Sequence, residues 1–79
     1  MKSPAVLQHV SQNVRHYRGL KGLSQQQLAD LAGLSRRMVA GVESGQDNIS
    51  LAKLSLIADV LEVDFVQIIA APEQQGQAV

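Results

Sequence analysis

Arg36 and Arg37 each stand four residues ahead of a residue with almost no side chain, Ala40 and Gly41 respectively. On an α-helix that spacing puts both pairs on one face. A guanidinium is planar, permanently charged and forked, so it donates two parallel hydrogen bonds to a phosphate or to the O6 and N7 edge of a guanine. Two arginines beside two very small residues therefore form a face that can lie close against the floor of a groove. Other chemistry is poorly served. The chain has no cysteine, and His9 and His16 share a helical face without a third ligand, so no metal site is expected. There is no glycine loop to cradle a phosphate and no nucleophile with an oriented base. The serines fall where helices begin and their hydroxyls have work to do as caps. A catalytic role and a cofactor are not expected.

The elements that must position the arginines are legible from punctuation and from apolar spacing, which is helical throughout. Ser3 reads as an N-cap with Pro4 at the first helical position. Val6, Leu7, Val10, Val14 and Tyr17 would line one face of that helix, with Gly19 and Gly22 closing it. Ser24 with Gln27 forms a capping box before Leu28, Leu31 and Ala32, and Gly33 can take the left-handed conformation that ends the segment. Ser35 caps a third helix running to about Glu43. Ser50 caps a fourth, with Leu51, Leu54, Ile57, Ala58 and Leu61 inward, and Asp64 with Gln67 starts a short fifth that Pro72 ends. The expected fold is all-α, a compact five-helix bundle with a helix-turn-helix at its second and third helices, spanning roughly Ser24 to Glu43. Residues 1–71 are expected to make the domain, and 72–79 a flexible polar tail or the beginning of a linker.

On an ideal wheel with Arg36 at zero, Ala40 falls at about 40°, Arg37 at about 100° and Gly41 at about 140°. Met38, Val39, Val42 and Glu43 occupy the opposite arc, from about 200° to 340°. The third helix thus shows two arginines outward and an apolar stripe with one carboxylate inward. Ala29 supplies the small residue where the two helices cross, and Gly33 the positive φ of the turn.

Charge supports the same orientation. The 79 residues are formally neutral, yet residues 1–46 hold six basic and two acidic side chains, net +4, whereas 47–79 hold one basic and five acidic, net −4. Such polarity suits a molecule that turns one face to a polyanion. No segment has the apolar length of a signal peptide or a membrane span, so a soluble, cytoplasmic protein with no membrane partner is expected.

Arg18, Gly22-Leu23-Ser24-Gln25, Leu28-Ala29, Gly33-Leu34-Ser35, Val39, Glu43-Ser44-Gly45, Ala58 and Leu61 form an ordered set at fixed spacing. In these residues the chain resembles the phage repressor and Cro-like family of bacterial regulators, also called the xenobiotic-response-element family, over about Val14 to Ile69. The resemblance implies a lambda-repressor-like five-helix fold that binds double-stranded DNA, usually as a homodimer on a two-fold-related operator. It implies phosphate contacts at Gln25 and Ser44 and base reading at Arg36, Arg37 and Gly41. It also implies a structural ion pair between Arg18 and Glu43. The expected DNA-facing set is completed by Gln26, Ser35, Ala40, Gln46 and Asn48. Two departures stand out. The loop after Gly45 is often basic in the family and here reads Gln46-Asp47-Asn48, and Gly41 leaves a base-reading position without a side chain. Gly41 also weakens its helix by about 1 kcal/mol relative to alanine.

Leu56 and Val60 lie opposite the inward stripe of the fourth helix, and with Phe65, Val66 and Ile69 they are expected to form a two-fold dimer interface. The leading reading is a transcriptional repressor. The alternatives are a module of the same fold bound to a protein partner, such as an antitoxin on its toxin, or the DNA-binding part of a longer regulator with a sensor domain.

Overall fold

The computed structural model describes residues 4–72. Among them are five α-helices and no strand: α1 (Ala5–Leu20), α2 (Gln25–Ala32), α3 (Arg36–Glu43), α4 (Leu51–Leu61) and α5 (Phe65–Ile69). Four of the five starts are fixed by local side-chain chemistry. Ser24 Oγ accepts from the Gln27 amide at 3.0 Å while Gln27 Oε1 accepts from the Ser24 amide at 2.8 Å, a reciprocal box. Ser35 Oγ accepts from the Met38 amide at 3.1 Å and Ser50 Oγ from the Lys53 amide at 3.2 Å. At α5, Gln67 Oε1 accepts from the Asp64 amide at 2.8 Å.

The first helix starts one residue later than expected. Pro4 is its N-cap, with ψ 148° and no side-chain cap bond, and its carbonyl accepts from Leu7 and Gln8. The expected cap at Ser3 lies outside the described residues, as does the tail beyond Pro72.

The core draws on every helix: Val10 and Val14 from α1, Leu28, Ala29 and Ala32 from α2, Val39 and Val42 from α3, Leu54, Ile57, Ala58 and Leu61 from α4, and Ile68 from α5. Three apolar residues assigned inward are instead exposed. Leu31 lies about 60° round α2 beyond the edge of the arc that Leu28, Ala32 and Ala29 span, and 64% of it is exposed. Leu51 points inward by its angle but stands in the first turn of α4, where it remains 71% exposed. Val6, in the first turn of α1, is exposed in the same way. Periodicity gives a direction and does not say what is opposite.

Polar side chains tie the helices together. Asn13, fully buried on α1, donates to the carbonyls of Ile68 and Ala70 at 2.7 and 2.8 Å, holding the end of α5. Ser11 donates to the Glu43 carbonyl at 2.5 Å, satisfying an acceptor that the end of α3 leaves open. None of the buried side-chain polar atoms among the described residues lacks a partner. None of the described helices is long and apolar enough to cross a membrane.

Candidate nucleic-acid interface

The α2–α3 corner is set by Gly33, whose φ of 73° places it in the left-handed region. From there the Leu34 amide returns to the Ala29 carbonyl at 2.9 Å, closing α2 before the chain enters the Ser35 cap. Ala29 is fully buried, and its single methyl is the small side chain expected where the two helices cross. A side chain at Gly33 would meet no other atom within 4 Å, so the glycine answers a backbone requirement.

The inner face of α3 is held at three points. Val39 and Val42 sit in the core, and Glu43 is 4% exposed. Arg18 Nε donates to Glu43 Oε2 at 2.6 Å and its Nη2 to Oε1 at 2.9 Å, the forked geometry that matches a carboxylate. Its Nη1 donates to the Leu23 carbonyl at 2.8 Å. The Glu43 hydrogen bond raises the Arg18 pKa above its already high ordinary value, against the opposing effect of burial. Gln25 Nε2 donates to Glu43 Oε1 at 3.0 Å, so one buried carboxylate joins α1, the start of α2 and the end of α3.

The outer face is the wheel's other half. Arg36 and Arg37 are exposed, with Ala40 and Gly41 half-buried between them and the loop beyond. Among the described residues neither guanidinium has a hydrogen bond or ion pair. Ser35 is engaged as the cap, and its hydroxyl lies at the edge of this face. Gln26 donates to Asp30 Oδ1 at 2.8 Å on exposed α2. Ser44 donates to the Gly41 carbonyl at 2.9 Å, while Gln46 and Asn48 are exposed in the following loop. The DNA-facing residues expected from the sequence therefore fall on α2, α3 and the loop after it, with Gln25 directed inward to Glu43.

One neighbour of this face escapes a reading of spacing alone. The amides of Gln46 and Asp47 donate to the Gly41 carbonyl at 3.2 and 3.3 Å, folding the loop back onto α3. A Cβ at Gly41 would stand 2.5 Å from the Asp47 carboxyl carbon and closer still to one of its oxygens. The missing side chain at position 41 is the seat of the Asp47 carboxylate. A glycine inside a helix, where it costs stability, was the available signal that something rests on it.

The residues assigned to the dimer surface divide. Leu56 and Val66 are exposed, at 43% and 67%, whereas Val60, Phe65 and Ile69 are half-buried against the chain's own core. The monomer core thus accounts for part of the apolar surface of Val60, which its angle on α4 did not foretell.

Comparison with known proteins agrees with the geometry. Residues 14–68 match the helix-turn-helix family HTH_3. The control protein C.SmaI of Serratia marcescens is 40% identical over 52 residues, 66% of this chain and 62% of that protein. A Neisseria meningitidis serogroup B hypothetical transcription factor is 36% identical over 63 residues, 80% of this chain and 59% of that protein. The chain thus spans about three fifths of the length of these two curated relatives. The crystal structure of the hypothetical transcription factor NHTF from Neisseria superposes with a TM-score of 0.86 at 31% identity, covering 94% of this chain and 85% of that one. The restriction-modification controller protein C.AhdI from Aeromonas hydrophila superposes with a TM-score of 0.76 at 42% identity, covering 81% and 93%. With the family match covering most of the chain and the α2–α3 corner in place, this protein belongs to the HTH_3 helix-turn-helix family of DNA-binding transcription regulators.

Proposed function

We propose that the chain binds a two-fold-related operator as a homodimer, with α3 of each copy in the major groove, and represses transcription by occupying a promoter. The observation that carries this reading is the division of α3. Its inner face is anchored by Val39, Val42 and the Arg18–Glu43 pair, and its outer face offers Arg36 and Arg37 with no partner among the described residues. Arginines kept without an intramolecular partner beside small residues are suited to guanine edges and phosphates. Dimerisation through Leu56 and Val66, with Val60, Phe65 and Ile69 at their margin, would present two such helices to sites one helical turn apart.

A second, narrower reading is favoured by the 42% identity to C.AhdI across 93% of that chain. C.AhdI is a restriction-modification controller protein, and by likeness this chain would control the genes of such a system. The two readings share one mechanism and differ in the promoter served.

The test is selection from a library of random duplexes at several salt concentrations, wild type beside the Arg36→Ala/Arg37→Ala variant. Enrichment of a two-fold-related sequence that the variant loses supports the proposal, with affinity falling steeply as salt rises because phosphate contacts release counterions. No enrichment by the wild type at low salt would overturn it and leave a helix-turn-helix module that binds a protein partner.

A further inference from the structure

We propose that Asp47 is a base-reading residue, accepting a hydrogen bond from an exocyclic amino group (cytosine N4 or adenine N6) in the major groove. The inference rests on the DNA-binding reading above and adds a specificity determinant that charge alone would have assigned to the opposite role. An acidic loop residue beside a phosphate would weaken binding. The structure puts the carboxylate elsewhere.

Two backbone hydrogen bonds to the Gly41 carbonyl curl the loop over α3, and the side chain then occupies the space that a Cβ at position 41 would fill. Ser35, Arg37, Met38 and Asp47 line one shallow depression, so the carboxylate belongs to the surface that presents Arg37. Among the described residues no donor satisfies it. A helix that enters the major groove by its Arg37–Gly41 side brings this carboxylate to the base edges with it. There the only complementary groups are the amino donors of cytosine and adenine, while guanine N7 and O6 and thymine O4 repel it. Asp47 and Arg37 then discriminate in opposite senses from adjacent positions. The arginine selects acceptor edges and the aspartate rejects them, which is how attraction and repulsion together sharpen a preference.

The experiment is the same random-duplex selection performed with the intact protein, with Asp47→Ala and with Gly41→Ala, followed by affinity measurements on the selected site and its single-base variants. Asp47 is exposed, so its truncation leaves the core untouched. Gly41→Ala evicts the carboxylate by filling its seat and favours the helix. The expected result is that the wild type prefers an amino-bearing base at one position per half-site by roughly ten- to a hundredfold. Both variants lose the preference at that same position and keep it elsewhere. If Asp47→Ala binds every sequence more tightly by one common factor, with preferences unchanged, Asp47 is a repulsive charge only and the inference is overturned while the DNA-binding reading stands. If the wild type selects no sequence, the DNA-binding reading fails and this inference fails with it.

Discussion

Arg18 on α1 grips Glu43 at the end of α3 through two hydrogen bonds of 2.6 and 2.9 Å, and the two ends of this pair differ in their access to water. The arginine side chain is 22% exposed and the carboxylate 3%. The asymmetry predicts unequal costs. Arg18→Ala strands a buried carboxylate with Gln25 as its remaining side-chain donor and should destabilise by about 3–5 kcal/mol. Glu43→Gln leaves an arginine that still reaches solvent and the Leu23 carbonyl, and should cost less, about 1.5–3 kcal/mol. Arg18→Lys should recover little, because an ammonium cannot reproduce the fork. Urea denaturation of the three variants checks the order; equal losses from the first two would contradict it.

The α2–α3 corner depends on one hydroxyl and one glycine, and their replacements should fail for different reasons. Ser35→Ala removes the acceptor for the Met38 amide and should cost about 0.5–2 kcal/mol. Ser35→Gly should cost only a few tenths. Gly33→Ala loses no contact, since nothing lies within 4 Å, yet places an L side chain at φ 73° and should cost about 1–2 kcal/mol. Thermal melts of these variants, with helical content followed by circular dichroism, separate the two mechanisms. A neutral Gly33→Ala would show that the turn relaxes.

What the sequence made legible follows the range of the interaction. Ser24, Gln27, Ser35 and Ser50 act on amides three residues away or nearer, so residue type and spacing suffice to place them. The two faces of α3 were legible for the same reason. Asn13 and Ser11 were not, because their partners are the Ile68, Ala70 and Glu43 carbonyls, reached only once the chain has folded. Leu31 and Leu51 show the converse limit: an apolar residue on a two- or three-turn helix is buried only if another element covers its side of that turn. At the candidate site the arginines could be read from spacing. The seat of Asp47 on Gly41 could not, since it depends on how the intervening loop folds back.

Lys21 and Glu62 form an exposed ion pair between the end of α1 and the residue that follows α4. The hydrogen bond from Lys21 holds the Glu62 carboxyl below its ordinary pKa, with the lysine's charge adding to the effect. A folded-state value below the unfolded one means the stabilisation is complete above the unfolded carboxylate pKa and is lost as pH falls through the folded value. The pair should therefore contribute a slight acid-side decline in melting temperature below about pH 4.5, and nothing to its pH dependence near neutrality. Being exposed, it is screened by salt. Comparing melts of wild type and Lys21→Met from pH 3 to 7 tests this. Parallel profiles at low salt would show that the pair does not couple to folding.

The proposed dimer makes a prediction that stability and assembly come apart. Leu56 and Val66 are exposed in the single chain, so Leu56→Glu with Val66→Glu should change the monomer's stability by no more than about 0.5 kcal/mol per site. If these residues meet their counterparts across a two-fold axis, four carboxylates replace four apolar side chains there, and desolvating them opposes association. The double variant should sediment as a monomer at concentrations where the wild type is a dimer. It should bind an isolated half-site as the wild type does and lose the advantage of a two-fold site. Val60 is a poorer place for the test, since its half-buried contact with the core would confuse dissociation with unfolding. A double variant that remains dimeric, with its melt unchanged, would move the interface away from α4 and α5.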